Sequence, residues 1–150
     1  MHRRSLLAAA LILPAALTAP AAFAKKRVRL FAPAGIALGG ADAVGYFTSG
    51  AALPGRSDLA LKWGGAIWCF ASEANRTAFE MNPFAYLPQY GGHCAYSMAQ
   101  GQQRGALPDI WTIQNGKLYL AASADLLGQF LADISGNIAK ADAVWAAAAG

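Results

Sequence analysis

An α+β fold is predicted for this chain by two kinds of pattern. Two stretches, residues 59–71 and 110–121, alternate apolar and polar residues about a two-residue turn, which is the period of a half-buried β-hairpin. Other stretches, above all those after Ser72 and Ser123, place apolar residues on one helical face behind a capping residue. The two hairpins are expected to form a small antiparallel sheet with short helices packed on it.

Residues 25–58 read as loop, with six glycines and two prolines. Within them Val28 and Leu30 could seed a short strand, and Asp42 could cap a helical turn ending at Phe47. In the first hairpin Leu59, Leu61 and Trp63 share one face. Gly64-Gly65 makes the turn, and Ala66, Trp68 and Phe70 return. Ser72 then caps a helix with Glu73 in its first turn and Ala74, Ala78, Phe79 and Met81 as its buried stripe. Asn82-Pro83 starts a further short turn with Phe84, Tyr86 and Leu87 on its apolar side. After Gly91-Gly92, residues 93–100 read as a third short helix, and residues 102–109 as polar loop. The second hairpin turns on Asn115-Gly116, a pair suited to the type I′ turn. Ser123 caps a helix with Leu126, Leu127, Phe130 and Leu131 on one face. Gly136 interrupts it, and an alanine-rich helix over 137–149 is docked by Trp145. No internal repeat is evident in the sequence.

Residues 1–24 have the architecture of a cleavable export signal: a basic Met-His-Arg-Arg start, an apolar run from Leu6 to Leu17 and an Ala22-Phe23-Ala24 cleavage pattern. Arg3-Arg4-Ser5-Leu6-Leu7 also resembles a twin-arginine signal, the route that moves folded proteins. The expected product is a periplasmic or secreted single domain over 25–150, with no stable membrane insertion after cleavage, because no later stretch approaches the ~20 apolar residues of a spanning helix. The net charge of +4 is misleading, since Arg3 and Arg4 leave with the signal. Lys25, Lys26, Arg27 and Arg29 form one basic cluster, and the rest of the domain carries six basic against eight acidic residues. Nothing there makes the basic, aromatic-lined groove that nucleic acid requires. No G-x-S-x-G elbow, P-loop or G-x-G-x-x-G is present, so catalysis has no recognisable constellation.

The run Trp68-x-Phe70-x-Ser72, then Phe79, Asn82-Pro83 and Tyr86, resembles the YHS domain. The wider chain is similar to small exported bacterial proteins built around that domain. They share Gln89-Tyr90-Gly91-Gly92-x-Cys94-Ala95, the Trp111-Thr112-Ile113 hairpin with Gly116-Lys117-Leu118-Tyr119-Leu120, and Asp133-Ile134-x-Gly136-Asn137 continuing to Asp142 and Trp145. The resemblance covers about residues 39–145 and implies metal handling. The metal-associated members carry cysteines where this chain has Ala71 and Asn75, so their ligands cannot be carried over.

Any metal role must then use other residues. His93, Cys94 and Met98 offer an imidazole, a thiol and a thioether, a set that suits copper or another soft metal, and Cys94 and Met98 share a face if their segment is helical. A structural zinc site lacks its four ligands. A Cys69–Cys94 disulfide competes with the metal for the same thiol. It fits an oxidising compartment and would contribute about 3–4 kcal/mol by loop entropy. Tyr90, Tyr96, Trp111 and Tyr119 are candidates to line a small-ligand pocket near Gly91-Gly92. The leading expectation is a soft-metal or small-ligand binding module. The alternatives are a non-catalytic structural or interaction protein with the disulfide, and, behind it, a redox enzyme using Cys94.

Overall fold

The structure, a computed structural model, describes residues 28–149, so the predicted export signal lies outside the described residues. The expected class is present: among the described residues there are five α-helices and two antiparallel hairpins. The chain runs α1 (Gly45–Thr48), β1 (Arg56–Trp63), β2 (Ala66–Phe70), α2 (Glu73–Met81), α3 (Ala95–Ala99), β3 (Leu107–Gln114), β4 (Lys117–Ala121), α4 (Ala124–Ala132) and α5 (Ile134–Ala147). The hairpins do not share a sheet. Each forms its own two-stranded sheet, and further pairing is limited to isolated bridges such as Ile36–Ile67 and Pro88–Leu118.

Those two bridges belong to a repeat that the sequence reading missed. Leu38, Gly39 and Gly40 adopt left-handed φ values of 54°, 59° and 88°, and Tyr90, Gly91 and Gly92 adopt 55°, 63° and 88°. Each turn delivers the chain to a fully buried residue, Asp42 or Cys94, ahead of a short helix. Each helix is followed by a hairpin with the same register: Arg56 faces Phe70 and Leu61 faces Trp68, while Leu107 faces Ala121 and Thr112 faces Tyr119. Both hairpins have a register shift in the first strand. Both then lead to a serine, Ser72 or Ser123, whose hydroxyl accepts from the amide three residues on. Both nine-residue helices that follow bury one phenylalanine, Phe79 or Phe130, against the aromatic ring of the preceding strand. Trp68–Phe79 ring centroids are 4.8 Å apart and Tyr119–Phe130 centroids 5.2 Å. The fold is one unit built twice, with α5 added.

The first unit is fastened by Asp42. Its Oδ1 accepts from Val44 N at 2.9 Å and Gly45 N at 3.2 Å, the capping role expected for it. Its Oδ2 accepts from Ala71 N at 2.8 Å and Asn75 Nδ2 at 2.7 Å, which ties the first turn to the start of α2. The two units meet where Tyr46 stacks on Trp111 and donates to Pro108 O, and where Leu118 and Leu120 enter the first unit's core. Tyr119, on the other face of β4, joins a second core with Tyr90, Met98, Phe130 and Ala141. The second hairpin is therefore covered on both faces, whereas β2 buries Trp68 and Phe70 and leaves Ile67 exposed.

Several local expectations need correction. Met81 is 82% exposed, and Ala74 and Leu131 are also on the outside, because α2 and α4 each bury a narrower stripe around their phenylalanine. The second helix pair breaks at Asp133, not at Gly136: Asp133 leaves helical geometry and its carboxylate caps α5 through Gly136 N. The third helix begins at Ala95, since the left-handed turn hands on an extended His93 that bridges to Gly105. Val28 and Leu30 join no strand, and the segment lies along the Tyr90–Gly92 turn instead. No helix among the described residues is long and apolar enough to cross a membrane.

Candidate functional site

The turn at Tyr90–Gly92 is the floor of a groove of about 920 Å³. One wall is the entering chain at residues 28–30, another is Phe84 with Leu87 and Pro88, and the third is the end of α5 from Asp142 to Ala149. Gly91 makes this arrangement possible. A Cβ there would run into the Arg29 carbonyl, and Phe31 N donates to Gly91 O at 2.8 Å. The walls are mainly carbon, and the polar groups are few and fixed.

Tyr90 Oη donates to Asp142 Oδ1 at 2.9 Å. The Arg29 guanidinium lies 3.6 Å from the centre of the Trp145 ring, and its Nη2 donates to the Trp145 carbonyl at 2.7 Å. A cation stacked on an indole and held by a carbonyl loses little further freedom on meeting a ligand. His93 stands beside this pair, with its ring 6.0 Å from Trp145 and 5.4 Å from Phe31, and its Nδ1 is 2.8 Å from Tyr90 O.

Burial pushes the Tyr90 hydroxyl far above its ordinary range, and the hydrogen bond and charge of Asp142 push it further. Tyr46 and Tyr119 move the same way, in both cases chiefly through burial. All three favour the protonated fold. Their contribution to stability is complete below pH ~10 and is lost as pH rises through their raised folded values. The expected result is that a spectrophotometric titration of wild type minus Tyr90→Phe shows no tyrosinate signal until the near-ultraviolet circular dichroism collapses. A difference signal near pH 10 with the fold intact would count against the partly buried Tyr90–Asp142 bond.

The four aromatics expected to line one pocket do not do so. Tyr90 lines the groove, and Tyr119 lies 6.0 Å from it but is buried on Phe130. Trp111 packs on Tyr46 in the first core, and Tyr96 packs against the second. Cys94 and Met98 are fully buried, while extended backbone turns His93 toward Phe31 and Trp145. No group of three or more His, Cys, Asp or Glu side chains that could hold a metal occurs among the described residues. Cys69 and Cys94 are free thiols. The disulfide is not formed, since Cys69 sits on the less covered side of β2 and Cys94 is enclosed at the start of α3.

Sequence reasoning missed Arg29 and Asp142. The first was read only as part of a basic cluster, the second only within the family resemblance. Arg29 gains its role by reaching Trp145 across 116 residues of chain, and Asp142 by meeting Tyr90 across 52. No family model, curated protein or solved structure matches this chain.

Proposed function

We propose that this chain is an exported, YHS-like binding module that holds a small molecule in the groove between the Tyr90 turn and α5. One observation carries the reading: two fixed polar pairs, Tyr90–Asp142 and Arg29–Trp145, stand on the rim of an otherwise apolar groove of about 920 Å³. A few oriented polar groups in an apolar concavity are what small-ligand recognition uses. The predicted signal at residues 1–24 supports a periplasmic or secreted location for such a module. A soft-metal role has less support, because the His93 ring packs against Phe31 and Trp145 while Cys94 and Met98 are enclosed in the core.

Filling the groove tests the proposal. Ala146 is exposed and lines it, so Ala146→Phe blocks the groove without entering either core. Small aromatic and apolar compounds that raise the melting temperature of the wild type, as a ligand of the folded state must, are expected to lose that effect in the variant. Stabilisation that survives the substitution would place binding elsewhere and end this reading.

A further inference from the structure

We infer that the groove selects a small apolar or aromatic molecule bearing one acidic oxygen group, a carboxylate or its equivalent, and that Arg29 is the residue that meets it. This rests on the reading of the groove as a ligand site.

A guanidinium has five N–H donors in a planar fork. That of Arg29 uses one Nη2 bond on the Trp145 carbonyl, and stacking on the indole fixes its plane. Among the described residues the ion pairs are Arg56–Asp58 and Arg76–Glu80, so Arg29 faces the groove without a carboxylate partner. The acid that lines the groove, Asp142, already receives the Tyr90 hydroxyl. The free hydrogen-bonding capacity of a positively charged group is therefore what the rim offers. Leu30, Phe84, Leu87 and Ala146 supply surface for an apolar body.

The repeat separates what the fold needs from what this site adds. In the first unit the same left-handed turn puts Leu38 where Tyr90 stands. The pocket beside it, about 270 Å³, is lined by Phe31, Leu38, Pro108, Leu120 and other residues without a charged side chain. The turn there carries no arginine or tyrosine, and its acid, Asp42, is spent on hydrogen bonds from Val44, Gly45, Ala71 and Asn75 and does not line the pocket. The charged rim of the second turn is therefore surplus to the backbone geometry it shares with the first.

The test compares naphthoic acid with naphthylmethanol, its neutral analogue, on the full-length protein. Calorimetry gives the affinities, and the Trp145 indole N–H resonance reports occupancy of the groove. The acid is expected to bind about tenfold or more tightly than the alcohol, the scale of one hydrogen bond to a charged group. Arg29→Gln is expected to abolish that preference, so that within the variant the acid binds no more tightly than the alcohol, and Arg29→Lys to keep part of it. Equal affinities for the two probes on wild type would overturn the anion assignment without needing any variant. So would a preference that persists in Arg29→Gln. If neither probe binds and the Trp145 resonance does not move, the groove is not the ligand site, and the reading on which this inference rests fails with it.

Discussion

Replacing Asp42 by alanine is expected to lower the stability of the folded chain by about 3–5 kcal/mol, read as a fall in the urea midpoint with little change in slope. The carboxylate is fully buried and accepts four hydrogen bonds, three from backbone amides and one from Asn75. Removing it leaves those donors facing a void, and each buried donor left without a partner costs about 1–3 kcal/mol. Part of that is recovered near Ala71 and Asn75, where the surroundings are only partly buried. Asp42→Asn is the sharper variant. It keeps the shape but puts an NH₂ where one pair of donors needs an acceptor, so it should recover little of the loss. A drop under about 1 kcal/mol for Asp42→Ala would mean that the four bonds do not hold the first turn to α2.

The second large effect is expected at the paired phenylalanines. Phe79→Ala should cost about 3–5 kcal/mol, as truncation of a fully buried aromatic ring does. Its ring meets Trp63, Trp68 and Phe70 at centroid distances of 5.7, 4.8 and 5.2 Å. Phe130→Ala removes the corresponding ring of the second unit, which stacks on Tyr119 alone among the aromatic rings and should fall at the lower end of that range. Leucine at either position is expected to restore part of the loss. Thermal unfolding of the four variants checks the ordering. A Phe130→Ala variant as stable as wild type would break the equivalence of the two helices.

How far the sequence carried the reading depends on the kind of signal. Turn and cap residues were legible, because their chemistry is local. Gly64-Gly65, Asn115-Gly116, Ser72 and Ser123 stand where the pattern placed them, and both nine-residue helices begin on cue. Helix faces were legible only in part. Counting apolar residues put Ala74, Met81 and Leu131 inward, although each helix has one narrow contact with its hairpin and the rest faces out.

The repeat escaped for a physical reason. What recurs in sequence is confined to positions with special backbone or capping duties: Gly39-Gly40 and Gly91-Gly92, Gly65 and Gly116, Ser72 and Ser123. Elsewhere the two cores solve the same packing with different side chains. Tyr119 answers Trp68, Ala121 answers Phe70, and Cys94 answers Asp42. The site escaped for another reason. Donor chemistry drew attention to His93, Cys94 and Met98, whereas burial sent two of them into the core and the third to a neighbouring surface. Arg29 and Asp142 carry no motif, and their roles come from where the chain closes on itself.

That closure has a consequence for chain order. Arg29, at the start of the described chain, holds the carbonyl of Trp145 near its end, while the two units press together through Tyr46, Pro108 and Trp111 without help from the peptide that joins them. The two ends of the described chain therefore meet beside the groove. Where the backbone is cut is then separable from how the parts fit. A circular permutant opened between Tyr86 and Leu87, with a short linker across the Arg29–Trp145 clasp, would present the second unit first and bridge the mouth of the groove with covalent chain.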